Sequence, residues 1–258
     1  MSKSLIKWLK GKINGAYYKL FLRFYYLYNQ DSVFVTGADS SHYKSLCQLL
    51  CSLLKYESKS KILVYDLGLT NTEINYININ FSAIELRSFD YSKYPKYLNI
   101  KINAGEYAWK PVIVNNVMNE FKCTVCWLDA GNVVIEPLLK LKIITKKLGF
   151  YSPYSCGKIS DWTHPKTLNY LNASESILNY INLNGACVSV DYSNKKANKL
   201  INTWATYALI KECIAPEGSG RHNHRQDQAV LTVLAYQSGL GQKMIKDYLG
   251  FKIHQDIN

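Results

Sequence analysis

The stretch Thr124-Val125-Cys126-Trp127-Leu128-Asp129-Ala130-Gly131-Asn132-Val133-Val134 limits what this chain can fold into more than any other. Apolar and β-prone residues lead into a carboxylate, two small residues, an amide and a β-branched pair. That order predicts a buried strand whose end delivers Asp129 to a crevice. In an open α/β sheet, ligands sit at the carboxyl ends of the strands, so Asp129 is a candidate site residue on pattern alone. The competing reading is local: a turn in which Asp129 and Asn132 bond nearby backbone.

The 258 residues suffice for one large α/β domain with a sizeable core and are few for two. Lys+Arg number 31 against Asp+Glu 19, a formal charge of +12. Such a surface favours acidic partners: nucleotides, sugar nucleotides, nucleic acid or an anionic membrane. Nucleic acid is not expected, because the cations are dispersed rather than set in an aromatic-and-glycine recognition motif. The seven cysteines are odd in number and lie mostly in apolar runs, as reduced thiols do, which predicts a reducing, cytoplasmic location. Cys123 and Cys126 form a C-x-x-C without a second pair. Residues three apart on a strand point to opposite faces, which speaks against a metal or redox role.

Residues 1–30 are expected to be a basic, aromatic helical segment and residues 31–258 the main domain. The segment has no signal-peptide pattern, and Lys19 and Arg23 interrupt any membrane span. Two placements fit it. One lies in the headgroup region of an anionic bilayer, making the protein peripheral on the cytoplasmic face of a membrane. The other packs on the domain's own core.

Beyond that segment the chain reads as strand 31–39, helix 43–54 and strand 61–69, the βαβ pattern of a parallel sheet. A short strand (84–89) and a Tyr- and Lys-rich loop (91–97) precede a helix over 107–118. Pro111 is tolerated there only in the first turn, so Lys110 stands where an ammonium and the helix dipole together suit a diphosphate. A solvated lysine is the plain alternative. Later come a strand at 149–153, an irregular polar loop over 155–176 suited to an acceptor, a strand over 183–190 and a helix over 193–210. A flexible, basic, His-rich loop (216–225) then leads into a helix that starts at Gln226.

These pieces, in this order, resemble the nucleotide-sugar-dependent glycosyltransferases of the GT-A fold, in particular their glycogenin-like and galactosyltransferase-like branch. The Tyr-Ala-Trp-Lys-Pro, Trp-Leu-Asp-Ala-Gly and His-Arg-Gln-Asp-Gln segments also resemble an uncharacterised glycosyltransferase-like group. The resemblance implies that residues 31–258 are a GT-A-like domain, with a Rossmann-like, mixed and mostly parallel sheet flanked by helices. It places Thr36, Asp39 and Tyr43 at the nucleobase and ribose, Lys110 at the phosphates, and Asp129 and Asn132 at the ribose or a metal. It sets Asn184, Asp227 and Gln228 at the donor sugar. Asp161 or Asp227 is the candidate general base.

One departure stands out. The family's central strand ends Leu-Asp-Ala-Asp, whose last carboxylate holds Mn²⁺ or Mg²⁺ between the phosphates. Gly131 occupies that place here. Either Asp129, Asn132 and His254 hold a metal, or lysines such as Lys110 neutralise the diphosphate instead. The implied activity is hexosyl transfer from a nucleotide diphosphate sugar to a hydroxyl of a glycan or glycolipid, as in polysaccharide biosynthesis. The alternative is a catalytically silent nucleotide- or glycan-binding protein at a membrane surface.

Overall fold

Strands buried on both faces must be largely apolar, and Val33 to Ala38, Ile62 to Val64 and Val125 to Leu128 are buried throughout, with Thr36 their one polar side chain. In the computed structural model, which describes residues 32–243 and 249–257, they form the centre of a sheet. The basic aromatic segment expected over residues 1–30 lies outside the described residues.

The chain opens with β1 (Ser32–Asp39), α1 (Tyr43–Glu57), β2 (Lys61–Gly68), α2 (Asn71–Asn80) and β3 (Glu85–Ser88). Next come α3 (Trp109–Phe121), β4 (Thr124–Leu128), β5 (Val133–Val134), α4 (Leu139–Leu148), β6 (Phe150–Tyr151) and β7 (Tyr154–Lys158). The short helices α5 (Ile159–Trp162) and α6 (Pro165–Tyr170) lead to β8 (Ile181–Leu183) and β9 (Cys187–Asp191). The remaining elements are α7 (Lys195–Ala208), α8 (Lys211–Ile214), α9 (Gln226–Gln237) and β10 (Phe251–Lys252).

The main sheet has the order β3-β2-β1-β4-β9-β6. Its first four strands are parallel, with Phe34 opposite both Ile62 and Cys126. β9 pairs antiparallel with both β4 and β6. This is the mixed, mostly parallel sheet expected from the sequence. After β1 the chain steps outward to β2 and β3, then returns across β1 to place β4 on its other side. The carboxyl ends of β1 and β4 therefore flank a topological switch point, where a crevice opens by construction.

Helix formation follows the apolar spacing. In α1 the buried residues Leu46, Leu49, Leu50 and Leu53 recur at three and four. Thr70 and Glu73 cap α2 reciprocally. In α3 Pro111 falls in the first turn, as its missing N–H requires, with Lys110 beside it.

Three sequence expectations need correction. The polar stretch 155–176 is not an irregular loop but holds most of β7 together with α5 and α6. Elements of four to six residues are too short to display a period, although Pro165 at the first turn of α6 marks its start. The strand expected over 183–190 is broken by a turn at Asn184-Gly185-Ala186. The loop 216–225 is anchored rather than free, because His224 is fully buried, with Nε2 2.9 Å from the carbonyl of Ile214 and Nδ1 accepting from the backbone N–H of His164. Burial pushes the His224 imidazole down to about 4, so it sits there neutral.

Two backbone features frame the switch point. Residues 103–107 all have positive φ, between 47° and 63°, a left-handed turn directly before α3. Gly105 is required at its centre: a Cβ there would lie 2.3 Å from the carbonyl of Leu98. On the other side β10 pairs with β5, which carries residues 253–257 across the end of β4.

Candidate active site

The crevice is a cavity of about 500 Å³, lined among others by residues 37–39 from β1, 129–132 just after β4, 184–186, the start of α9, and His254 and Asp256. That volume is in the range of small-ligand sites.

At its floor is Lys110, 4% exposed. The first turn of α3 aims its ammonium at two carboxylates, Asp129 at 3.0 Å and Asp227 at 3.2 Å, and Nζ donates to the carbonyl of Gly185 at 3.2 Å. Burial alone would lower the ammonium's pKa, but the charges of Asp129 and Asp227 outweigh it and raise it. Lys110 is therefore a permanent cation. The opposite holds for Asp227. Its burial outweighs the attraction of Lys110, the nearby Asp129 adds repulsion, and the carboxyl is pushed up to about 6. Oδ2 of Asp227 meets the ammonium as an ion pair rather than as an aligned hydrogen bond.

Asp129 stands where β4 ends. Its backbone N–H donates to the carbonyl of Ala186 at 2.9 Å, and its Oδ1 accepts from Trp127 Nε1 at 2.6 Å. The neighbouring turn closes with Asn132 N–H to the Asp129 carbonyl, and Asn132 Nδ2 donates to Ala186 at 2.7 Å. Asn132 Oδ1 is buried, and among the described residues it has no hydrogen-bond partner. Opposite, Asn184 Oδ1 accepts from the N–H of Ala186, and Gln228 Oε1 accepts from that of Gly185. The 184–186 turn is thus tied to β4 and to α9.

At the β1 end, Asp39 accepts from Ser41 and lies 3.3 Å from His42 Nδ1. Burial favours its neutral form, but those hydrogen bonds and the imidazole hold the carboxyl below the ordinary range. It remains an anion, suited to accept hydrogen bonds from hydroxyl or amide groups.

The structure thus brings Asp39, Lys110, Asp129, Asn132, Asn184, Asp227, Gln228 and His254 to one cavity. Three sequence candidates are not in its wall. Asp161 instead accepts from the N–H of Lys158 at 2.7 Å and caps α5. Thr36 is fully buried within β1, and Tyr43 turns its ring edge-on to Tyr76.

Other wall residues escaped the sequence reading. Arg221 donates to the Tyr107 hydroxyl at 2.8 Å, and the Arg225 guanidinium lies 4.0 Å over the Trp162 ring. The basic character of the 216–225 loop was the only signal for them. Asp256 gave none.

No curated protein sequence matches the chain. A family model described only as a protein of unknown function (DUF1647) matches residues 21–115, less than half of it. Among solved structures, the galactosyltransferase LgtC in complex with donor and acceptor sugar analogs is similar, with 14% identity and a TM-score of 0.53 over 78% of this chain and 70% of that one. Core-mannan synthase A from Aspergillus fumigatus, in a Mn/GDP form, has 7% identity and a TM-score of 0.52 over 87% and 74%. The bifunctional glycosyltransferase WbbM has 11% identity and a TM-score of 0.52, with 83% of this chain spanning 38% of that protein. The sheet order, the crevice at the switch point and these likenesses agree: the chain has the GT-A fold of nucleotide-sugar-dependent glycosyltransferases.

Proposed function

We propose that the protein transfers a hexose from a nucleotide diphosphate sugar to a hydroxyl of a glycan or glycolipid. The observation that carries this reading is the convergence of Lys110, Asp129 and Asp227 on one floor between β1 and α9, inside a cavity that also holds Asp39 and two arginines. Asp39, anionic at the end of β1, accepts from the base or ribose. Arg221 and Arg225 offer planar donors to the diphosphate. Asn184, Asp227 and Gln228 face the sugar.

In transfer, the acceptor oxygen bonds to the anomeric carbon as the bond to the diphosphate oxygen breaks, and the acceptor proton must leave. Lys110 holds Asp129 and Asp227 in place, and fixed charges of this kind stabilise a charge-separated transition state without reorganising. Asp227, with a pKa near neutrality, is the group able to hold a proton beside the sugar. A divalent cation, where bound, adds charge neutralisation of the leaving diphosphate, and Asp129 and His254 lie on the wall that would hold it.

Thermal shift against a panel of nucleotide diphosphates and their sugars tests the reading. A true donor near 100 times its Kd stabilises by about 2.7 kcal/mol, a rise of about 5–10 °C. A panel without any shift overturns the proposal. Gly131 in place of an aspartate favours one alternative, a binder without turnover. Donor hydrolysis by the shifting nucleotide sugar separates the two.

A further inference from the structure

Where the fold's relatives would carry a second carboxylate at the end of β4, this chain has Gly131, and the space beside it is not empty. A Cβ built on Gly131 would lie 2.4 Å from Oδ1, 2.5 Å from Oδ2 and 2.6 Å from Cγ of Asp256. The carboxylate of Asp256 thus fills the volume in which a side chain at position 131 would begin.

That approach is built into the backbone. Pairing of β10 with β5 brings the segment alongside β4's end, and His254, at φ 54°, turns it inward. The N–H of Gln255 donates to the Gly131 carbonyl at 2.7 Å, and the carbonyl of Gln255 accepts from Gln48 Nε2 at 2.8 Å. On the far side Ile257 exchanges hydrogen bonds with the Ser45 hydroxyl, at 3.0 Å and 3.2 Å. Asp256 is therefore clamped from both neighbours, while among the described residues no hydrogen bond or ion pair engages its carboxylate. A loose tail residue would not be held by backbone hydrogen bonds on both sides.

We propose that Asp256 supplies the carboxylate that Gly131 lacks, so that Asp129 and Asp256 together hold a divalent cation against the diphosphate of a bound donor. The inference rests on the donor-site reading above. Its donor set has the right chemistry: Mg²⁺ and Mn²⁺ take hard oxygens, and on a nucleotide the protein supplies one or two carboxylates while phosphate and water complete the shell. Of the two oxygens of Asp129, Oδ1 takes the Trp127 hydrogen bond and the closest approach of Lys110, and Oδ2 accepts no hydrogen bond from the described protein.

The test measures metal rather than turnover. Full-length protein is titrated with Mn²⁺, read by the electron paramagnetic resonance signal of the free ion, with UDP or GDP as the probe, and nucleotide binding is measured separately by calorimetry in chelator. Asp256→Asn is expected to weaken Mn²⁺ binding to the nucleotide complex by about tenfold or more, leaving metal-free nucleotide binding within about threefold. Gly131→Asp combined with Asp256→Ala returns the carboxylate by the other route, and is expected to restore Mn²⁺ binding to within about threefold of the parent. Unchanged Mn²⁺ affinity in Asp256→Asn overturns the proposal, as does nucleotide binding in which Mn²⁺ never takes part. If no nucleotide diphosphate of the panel binds with or without metal, the donor-site reading falls, and this inference with it.

Discussion

Among the described residues, two lysines are buried against carboxylates, and they differ in what surrounds them. Lys142, between α4 and the end of α1, meets Glu57 at 2.5 Å and the Ser60 hydroxyl at 3.1 Å, while the other oxygen of Glu57 accepts from the N–H of Leu138 at 2.7 Å. Both oxygens of Glu57 are partnered, and its pair with Lys142 is sealed in the core. Lys110 faces two anions, one of which has an oxygen without an aligned donor, and the group borders a cavity. A buried pair with both carboxylate oxygens engaged is a device of structure. An excess of negative charge at a cavity wall is instead a receptor for something positive, whether a proton or a cation.

The first way to break this comparison is Lys142→Met. It removes the ammonium 2.5 Å from a fully buried carboxylate, and chemical denaturation is expected to show a loss of about 3–5 kcal/mol. A loss below about 1 kcal/mol would mean that the core pair is not structural.

The second is Asp227→Asn, with the reverse profile. It removes the surplus anion while keeping the shape, so stability should hold or rise, and donor turnover should fall by about 10²–10³-fold. A stability loss matching that of Lys142→Met would erase the distinction.

Acid sharpens it further. His224 is neutral in the fold down to about 4, while in the unfolded chain it protonates below about 6.5. Its stabilising contribution is therefore complete above 6.5 and is lost as the pH falls toward 4, by about 3 kcal/mol in all. Asp227 has the opposite sign. The fold keeps its proton up to about 6 and the unfolded chain only to about 3.9, so its contribution is present at low pH and disappears as the pH rises through 6. Between pH 7 and 4.5, His224→Gln should flatten the loss of melting temperature, and Asp227→Asn should steepen it. The smallest effect is expected at the edge of the cavity, where Asp39→Ala should weaken nucleotide binding by about tenfold in calorimetry.

Much of the floor was legible because its residues stand at element ends. Asp129 closes an apolar run, Lys110 precedes a proline that must lie in a first helical turn, and Asp227 opens a helix. Such positions are written in local pattern, and the topology then brings them together. Asp161 and Tyr43 show the limit: a carboxylate or a ring near a turn has the same local signature whether it meets a ligand, caps a helix or packs on a neighbour. Asp256 lies beyond pattern altogether, since its place depends on β10 finding β5 across more than a hundred residues. The short elements of 154–170 escaped for want of length.

The reversal of hand before α3 has its own consequence. A left-handed turn and a right-handed helix meet at Ala108, two residues before the ammonium that joins both carboxylates. Substitutions along this joint change contacts one at a time, but a single inserted residue between Ala108 and Lys110 would swing that ammonium about 100° around the helix axis. The length of this connection is therefore held more tightly than its composition, and descendants of this sequence can vary its letters far more freely than their number.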